Sequence, residues 1–572
     1  MAPSTYILPR HRLIVLAAVM VGIGLILAWQ LVRWQVIERD RFVYMVKNRP
    51  ADSRETPTRR GRILDRQGHP LALDALEYQI SATPHWVRDF GDVEEIAHHL
   101  APLLDASPEE LIAKFTSDAP WELLASHVSQ TVGKTVQEWG IFGLEVTPQP
   151  WRGYPEGTLA AHLLGFVAHD QQGFYGVEGF YDQLLAFPAH FGKGGEIEDA
   201  QASFVATGAF PFDPSQMRAK DSPNLVLTVD RMIQHIAEEE LDAAIGQHKA
   251  SGGTVIVMDP RSGAILAMAS RPAYDPEHYA EAPAKHWADP AVTVDYEPGS
   301  VFKIVTVAAA LDSGMTGLNS VFEDKGVIEV GGQPMYNSDR LAHGTVTITD
   351  AMTLSLNTVM AQISTRLGAK TFYAYVQRFG FGRMTGVDLA SESEGQLKLP
   401  TDAAWHESDL GTNAFGQGLA VTPLQVACAA AAIANRGVMM APHVLGEVES
   451  NGQTWPRRPT VARQVVTSET AKKLTGILIQ AAEKGAPKSI VPGYTVAGKS
   501  GTAQIPIPGG YDPQATIASF VGFAPAHDPQ FVILVKVDRP RDTPWGAAVA
   551  APVFRNIAQR LFVMMDIPPS GG

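Results

Sequence analysis

An unbroken run of 17 apolar residues near the N-terminus, Leu13–Trp29, constrains this 572-residue chain more than any other feature. The run continues to Val32 after a single glutamine. About 20 residues of α-helix are needed to cross the hydrocarbon core of a membrane. A cleaved signal peptide would need a shorter apolar stretch followed by a small-residue cleavage site, and the residues after the run offer none. The sequence therefore predicts a retained transmembrane anchor over residues 13–32, preceded by a tail of residues 1–12.

Composition narrows the function classes further. The net charge of −14 argues against a nucleic-acid-binding protein, which needs a basic surface. Cys428 is the single cysteine, so an intrachain disulfide is excluded, and its apolar neighbours predict a small core residue. The hydrophobic content of 45% is ordinary for globular domains. Beyond the anchor, the length predicts several domains with cores of their own.

Ser300 and Lys303 lie three residues apart, directly after a Pro298-Gly299 turn and at the start of a helix predicted over Val301–Leu311. Free N–H groups at a helix N-terminus favour a developing negative charge, and residues at i and i+3 share a helical face. A serine hydroxyl is a weak nucleophile unless a base takes its proton. A lysine can be that base if burial or a second cation lowers its pKa. The pair alone is equally typical of an ordinary helix start.

Two later segments strengthen the hypothesis of a catalytic serine. Ser355-Leu356-Asn357 begins 55 residues after Ser300, and Lys499-Ser500-Gly501-Thr502 begins 199 residues after it. Each segment alone is compatible with a turn or a strand edge. Ser-x-x-Lys, Ser-x-Asn and Lys-Ser/Thr-Gly in this order form the signature of penicillin-binding proteins and serine β-lactamases.

On these motifs the chain resembles a class B penicillin-binding protein, the D,D-transpeptidase that cross-links bacterial peptidoglycan. The resemblance extends over nearly the whole chain, through Arg60–Arg66, Tyr154–Gly165, Gly173–Gly179, Gly416–Gly418 and Thr422–Gln425. One departure is Ser500, where many members carry threonine, and either hydroxyl can form the same hydrogen bond.

The resemblance implies a role for each motif residue. Ser300 attacks the carbonyl of the D-Ala–D-Ala bond and Lys303 takes its proton, while the positive charge of Lys499 helps to keep Lys303 neutral. Ser355 relays a proton to the leaving amine, and Asn357 donates to the peptide backbone. Substrate binding is assigned to Ser500, Gly501 and Thr502. The resemblance implies no cofactor and no metal.

The predicted fold class is α+β. Residues 33–215 mix short strands and helices without a convergent catalytic set, and the resemblance identifies them as a non-catalytic pedestal, similar to a dimerisation domain. A linker is predicted over Pro211–Pro223, and residues 216–572 form the transpeptidase domain, an antiparallel sheet flanked by helices. The elements predicted there are strands over 225–227, 254–258, 264–268, 518–523 and 531–537 and helices from Asp230 to Gly246 and from Pro552 to Met564.

Location and partners are also implied by the resemblance. Arginines flank both sides of the anchor, so charge alone does not decide its orientation. The family places the N-terminus in the bacterial cytoplasm and the catalytic domain on the extracytoplasmic side of the cytoplasmic membrane. The implied partners are peptidoglycan stem peptides, β-lactams and a polytopic glycosyltransferase of the shape, elongation, division and sporulation (SEDS) family.

Several functions stay open at this stage. Tyr296–Gly299 favours the cell-division branch, whereas Gly416–Gly418 also occurs in elongation-type members. A β-lactam-sensing receptor, a serine β-lactamase and a non-catalytic scaffold for a membrane glycosyltransferase are the further alternatives. The intact motifs speak against the scaffold, and no base that would activate water for a β-lactamase can be identified in the sequence.

Overall fold

The computed structural model describes residues 10–39, 59–186 and 222–569. Residues 1–9 of the predicted tail lie outside the described residues. The same holds for the predicted boundary between residues 215 and 216 and for most of the predicted linker Pro211–Pro223.

The N-terminal segment is helical, as predicted. An α-helix spans Arg10–Val32 and continues as one π-helical turn over Arg33–Ile37. Its large apolar side chains are exposed, including Leu16 and Ile26. It is the one helix in the described part of the chain that is long and apolar enough to cross a membrane.

The described residues form two compact units, one containing 10–39 and 76–151 and the other 59–75, 152–186 and 222–569. In the first unit, residues 76–82 of the strand Pro70–Ala82 pair antiparallel with Glu122–Val128, and the strand Pro70–Ala82 also pairs with Leu144–Gly153. The helices of this unit are Pro84–Phe90, Val93–Leu104, Pro108–Phe115 and Gln130–Trp139. Asp92, Ser107 and Ser129 cap three of these helices through their side chains, which satisfies N–H groups left free at a helix start.

The second unit contains part of a seven-stranded sheet, built from distant parts of the chain. Asn224–Leu227, a predicted strand, pairs parallel with Ile63–Leu64 and antiparallel with Leu445–Ser450, which pairs with Gln453–Pro456. Short elements surround this sheet, namely the strands Phe166–Val167 and Gly173–Phe174 and the helices Ala161–Leu164, Gly176–Phe180 and Asp182–Leu185.

The main sheet of the second unit has five antiparallel strands. Their order is Ala497–Ile507, Gly510–Ala524, Phe531–Asp538, Gly252–Met258 and Ile265–Arg271. The strands predicted over 254–258, 264–268, 518–523 and 531–537 are therefore confirmed. Alternate residues point to opposite faces, and both faces are apolar and buried, so the sheet lies in the middle of the core.

One face of this sheet packs against two helices, Arg231–His248 and Gly546–Met564, through residues such as Ile233, Phe520 and Phe554. The helix predicted from Asp230 to Gly246 is confirmed, and the side chain of Asp230 caps its start. The predicted start of the closing helix at Pro552 is wrong, because the helix begins at Gly546 and Pro552 lies inside it. A proline inside a helix removes one backbone hydrogen bond, and the buried apolar face on both sides of Pro552 offsets that loss.

The other face packs against a buried helix, Pro423–Ala434, which carries Cys428. Thr422 and Gln425 form a capping box at its start. The remaining helices are Pro290–Thr293, Lys303–Asp312, Ile348–Thr353, Asn357–Arg378 (interrupted at Gly368), Glu407–Asn413 and Ser468–Gln480. The remaining strands pair as Val321–Asp324 with Gly344–Thr347, Val327–Val330 with Gln333–Tyr336, and Val438–Met440 with Val461–Gln464. The predicted α+β class, with an antiparallel sheet flanked by helices, is confirmed.

Candidate active site

Ser300 lies in a tight turn that leads into a buried helix. Gly299–Phe302 form a single 3₁₀ turn, and the α-helix Lys303–Asp312 follows it directly. Gly299 has a φ of +58°, and a Cβ there would lie 3.0 Å from the carbonyl oxygen of Thr502. Its N–H donates to the carbonyl oxygen of Gly416 at 3.0 Å. Only glycine meets both the conformation and the space, so this residue fixes the entry of the serine into the helix.

The side chains of the first two motifs form one hydrogen-bonded cluster. The amine of Lys303, which is buried, donates to the carbonyl oxygen of Ser355 at 2.6 Å and to Asn357 Oδ1 at 2.8 Å. It also lies 3.1 Å from Ser355 Oγ. The hydroxyls of Ser355 and Ser300 are hydrogen-bonded at 3.0 Å. A continuous path for a proton therefore runs from Ser300 through Ser355 to Lys303.

The second motif is held in a strained conformation. Ser355 has a φ of +59°, a left-handed conformation that costs a residue with a side chain on the order of 1–3 kcal/mol. Leu356 is buried. Asn357 begins the helix Asn357–Arg378 and donates from Nδ2 to the carbonyl oxygen of Tyr336 at 3.0 Å. Packing on one side and the Lys303 amine on the other keep the Ser355 carbonyl turned into the cluster.

The third motif lies on an edge strand of the main sheet, Ala497–Ile507. A Cβ at Gly501 would lie 2.9 Å from Val301 Cγ1, so the missing side chain lets this strand approach the serine turn. Lys499 is buried, and its amine donates to the carbonyl oxygen of Ser500 at 2.9 Å. The hydroxyl of Thr502 accepts from the N–H of Gly546 at 3.1 Å.

Burial changes the protonation of both lysines. Burial, and after it the nearby charge of Lys499, holds the pKa of Lys303 well below its ordinary value of 10.5. Burial lowers the pKa of Lys499 to about 8. A neutral amine can accept a proton from a hydroxyl, and a neighbouring cation can bind a carboxylate. The cluster thus has the parts of a serine acyl-transfer site, and the catalytic role of each residue stays a prediction.

Glu297, three residues before Ser300, had no predicted role. Its Oε1 accepts from the N–H of Gly418 at 3.0 Å and from the hydroxyl of Tyr511 at 3.2 Å, so it ties together three chain segments beside the serine turn. Burial raises its pKa despite these two donors. Asp295 is a second acidic residue close before the motif, so the sequence contains no signal that singles out Glu297.

Comparisons with known proteins agree with this geometry. Residues 253–559 match the penicillin binding protein transpeptidase domain, and residues 55–186 match the penicillin-binding protein dimerisation domain. Stage V sporulation protein D of Bacillus subtilis (strain 168) is 32% identical over 573 residues, which cover 98% of this chain and 86% of that protein. Peptidoglycan D,D-transpeptidase FtsI of Escherichia coli (strain K12) is 30% identical over 551 residues, which cover 94% and 89%.

Solved structures show the same likeness. Penicillin binding protein 3 of Mycobacterium tuberculosis, complexed with aztreonam, has a TM-score of 0.68 and 27% identity, over 90% of this chain and 98% of that one. Fold and site together define a serine acyltransferase of the penicillin-binding type. The chain belongs to the class B penicillin-binding proteins, the family of peptidoglycan D,D-transpeptidases. Serine acyl transfer is the general mechanism of this family.

Proposed function

We propose that this chain cross-links peptidoglycan stem peptides through an acyl-enzyme on Ser300, in the synthesis of the septal wall during cell division. The observation that carries the proposal is the hydrogen-bonded path from Ser300 through Ser355 to the buried Lys303 amine. The likeness to FtsI supports the division role.

Acylation begins with neutral Lys303. Two of its hydrogen bonds go to oxygens that can only accept, the Ser355 carbonyl and Asn357 Oδ1. A neutral amine has two N–H groups for these acceptors and one lone pair, which then faces the Ser355 hydroxyl. The Ser300 proton moves to Ser355 while the Ser355 proton moves to Lys303, and Ser300 Oγ bonds to the carbonyl carbon of the penultimate D-alanine. The C–N bond then breaks, and Lys303 returns a proton through the Ser355 hydroxyl to the departing D-alanine amine.

Lys499, Ser500 and Thr502 bind the terminal carboxylate of the acyl donor in this proposal, with Gly501 allowing close approach. Lys499 remains charged below its pKa of about 8 and supplies the electrostatic attraction. The N–H groups of Ser300 and Thr502 stabilise the oxyanion of the tetrahedral intermediate. Loss of one such donor typically slows acyl transfer about 100- to 1000-fold.

Transfer completes the reaction. The amine of a second stem peptide attacks the Ser300 ester, and its proton passes to Lys303. As the ester C–O bond breaks, Lys303 returns that proton through Ser355 to Ser300 Oγ, which restores the hydroxyl and releases the cross-linked peptide. A β-lactam acylates the same oxygen through opening of its ring. In this proposal its adduct persists, because the groups assigned here include no additional base that would activate water for attack on the ester.

The membrane arrangement extends this proposal. Residues 1–12 form a cytoplasmic tail, 13–32 cross the cytoplasmic membrane, 33–215 form the pedestal and 216–572 form the extracytoplasmic catalytic domain. The exposed apolar surface of the N-terminal helix supports a span rather than a core helix. A SEDS-family glycosyltransferase, which supplies the glycan strands, is the proposed partner of the anchor and the pedestal.

The proposal is tested with the detergent-solubilised full-length chain and a labelled penicillin. We expect one stable covalent adduct, lost in Ser300→Ala and retained in Ser313→Ala, a control at the far end of the same helix. Absence of an adduct on the native chain, or an equal adduct on Ser300→Ala, would remove the enzymatic proposal. Rapid decay of the adduct would instead identify a β-lactamase.

A second assay separates transpeptidation from related reactions. With defined stem peptides as donor and acceptor, we expect a cross-linked dimer and one D-alanine released per cross-link. Release of D-alanine without dimer would identify a carboxypeptidase. A stable penicillin adduct without turnover of any peptide would favour a β-lactam-sensing receptor.

A further inference from the structure

A fully buried carboxylate lies behind the second motif. Asp324 is 1% exposed and ends a short strand. Its Oδ1 accepts from the Thr358 hydroxyl at 2.6 Å and from the N–H of Gly326 at 2.9 Å. Its Oδ2 accepts from Asn337 Nδ2 at 2.8 Å and from the N–H of His343 at 3.0 Å. Four donors thus converge on one carboxylate, which is enough to hold it rigidly in place.

Two of these partners, Thr358 and Asn337, lie in backbone segments on either side of the Asn357 side chain. Thr358 is the next residue in the helix, and its N–H donates to Asn337 Oδ1 at 3.2 Å. On the other side, Asn357 Nδ2 donates to the carbonyl oxygen of Tyr336, the residue directly before Asn337. Asp324 therefore anchors both backbone segments that contact the side chain of Asn357.

We propose that Asp324 is a positioning residue for acyl transfer, acting through Asn337 and Thr358 to set where Asn357 presents its amide to Lys303 and to the acyl donor. The Lys303 amine lies 2.8 Å from Asn357 Oδ1, so a shift of the amide moves a hydrogen bond of the base itself. The inference rests on the proposed function, because the amide matters to the chemistry only if the serine is acylated.

The charge state of Asp324 agrees with this role. Burial would raise its pKa, but hydrogen bonds from Thr358, Gly326, His343 and Asn337 outweigh burial and hold the pKa below its ordinary value of 3.8. The carboxylate therefore stays ionised wherever the enzyme works. An amide at this position would turn an N–H group towards donors that now point at an oxygen, which leaves buried groups unsatisfied.

The test measures the second-order rate constant for labelling of the full-length chain by penicillin. We expect Asp324→Asn to lower it roughly 10- to 100-fold and Thr358→Val to lower it about 10-fold, as for lost hydrogen bonds to a charged group. Thr358→Ser keeps the hydroxyl and should restore labelling to within about 2-fold of the native chain. Asp339→Asn is the control in the same loop, with a partly exposed carboxylate, and should also stay within about 2-fold.

A double-mutant cycle decides between positioning and general destabilisation. If Asp324 and Thr358 act through Asn357, then Thr358→Val should add almost nothing to the loss caused by Asn357→Ala. Additive losses, equal labelling by Thr358→Val and Thr358→Ser, or slower labelling that follows only the unfolded fraction would overturn the inference. A native chain that takes no label would overturn the proposed function first, and this inference with it.

Discussion

Two clusters of buried charged groups in the second unit differ in how their charges are balanced. The first cluster is an ion network of two arginines and three carboxylates, formed by Arg60, Arg152, Asp74, Glu178 and Asp182. Glu178 is fully buried and receives one guanidinium on each oxygen, each at 2.7 Å. Burial would raise its pKa, but the two arginines outweigh burial and hold the pKa below its ordinary value.

The second cluster is the lysine pair of the candidate site, Lys303 and Lys499. Both amines are as deeply buried as the ion network, yet their hydrogen bonds go to neutral oxygens, and the pKa of each is lowered. A buried charge with a counter-ion keeps its charge and contributes to structure. A buried charge without one is driven towards the neutral form, which is what a base needs at neutral pH.

The largest effect is expected for Lys303→Met. Loss of the base should lower the rate constant for penicillin labelling by about 1000-fold or more. Stability should change little, because removing a buried amine is favourable while the Ser355 carbonyl loses its donor. Labelling rates and unfolding temperatures measured on the same preparations check both parts.

Lys536→Met is the matched control for that variant. Lys536 is also buried, but its amine is paired with the carboxylate of Asp538. Like the charges of the ion network, it therefore has a counter-ion. We expect labelling to stay within a few-fold of the native chain and the unfolding temperature to fall. If Lys303→Met were labelled at a rate within tenfold of the native rate, the unpaired buried amine would not be the base for acylation.

Glu178→Gln is expected to lower stability, because it leaves two buried guanidinium groups without their shared counter-ion. Such a change typically costs about 3–5 kcal/mol of stability. The contribution of Glu178 is present above its ordinary pKa of 4.5 and is lost as the pH falls below it, because its folded-state pKa is depressed. Thermal unfolding at neutral pH measures the effect.

Glu156→Gln is the control for the ion network. Glu156 pairs with Arg231 at 2.6 Å, but both side chains are 34% exposed, so solvent screens the interaction. We expect a loss below about 1 kcal/mol. Equal losses from Glu156→Gln and Glu178→Gln would mean that burial does not set the strength of these pairs.

Much of the fold could be predicted because it depends on local patterns. The apolar stretch over Phe531–Asp538 and the cap at Asp230 indicate their elements directly. The pairing of Ile63–Leu64 with Asn224–Leu227 could not be predicted, because two short strands far apart in sequence contain nothing that selects a partner. The start of the closing helix was misplaced because Pro552 is typical of a first turn, whereas tertiary packing holds it in a helix interior.

The candidate site also contains residues that could be predicted from the sequence and others that could not. Its motif residues were predictable, since a nucleophile, a base and a second cation must be particular residue types and their order resembles a family. The groups that orient them were not. Every residue has a backbone carbonyl, so the sequence does not single out that of Tyr336, and Asp324 lies in an ordinary polar stretch. Only the folded chain shows that Tyr336 contacts Asn357 and that Asp324 contacts Thr358.

The pH profile of labelling tests the lysine pair directly. Labelling needs neutral Lys303 and charged Lys499, so the rate should rise with pH as Lys303 loses its proton. It should then fall about tenfold per pH unit above roughly pH 8, where Lys499 becomes neutral. In Lys499→Arg the guanidinium stays charged beyond pH 12, so the alkaline fall should disappear. An unchanged alkaline fall in that variant would assign it to another group.

The smallest expected effect is a change in stability near Glu297. This buried carboxylate is intermediate between the ion network and the lysine pair, because it accepts hydrogen bonds only from neutral donors. Tyr511→Phe removes one donor and should cost about 1 kcal/mol at neutral pH. The pKa of Glu297 is raised by burial, so the cost should shrink as the pH falls and the carboxylate is protonated in the folded state. Tyr494→Phe is the matched control, because its hydroxyl donates to the Ile567 carbonyl, which does not titrate. Thermal unfolding near pH 4.5 and pH 7.5 compares the two variants. If the loss of stability in Tyr511→Phe did not depend on pH, Glu297 would be neutral in both conditions. Glu297 would then resemble the lysine pair rather than the paired charges.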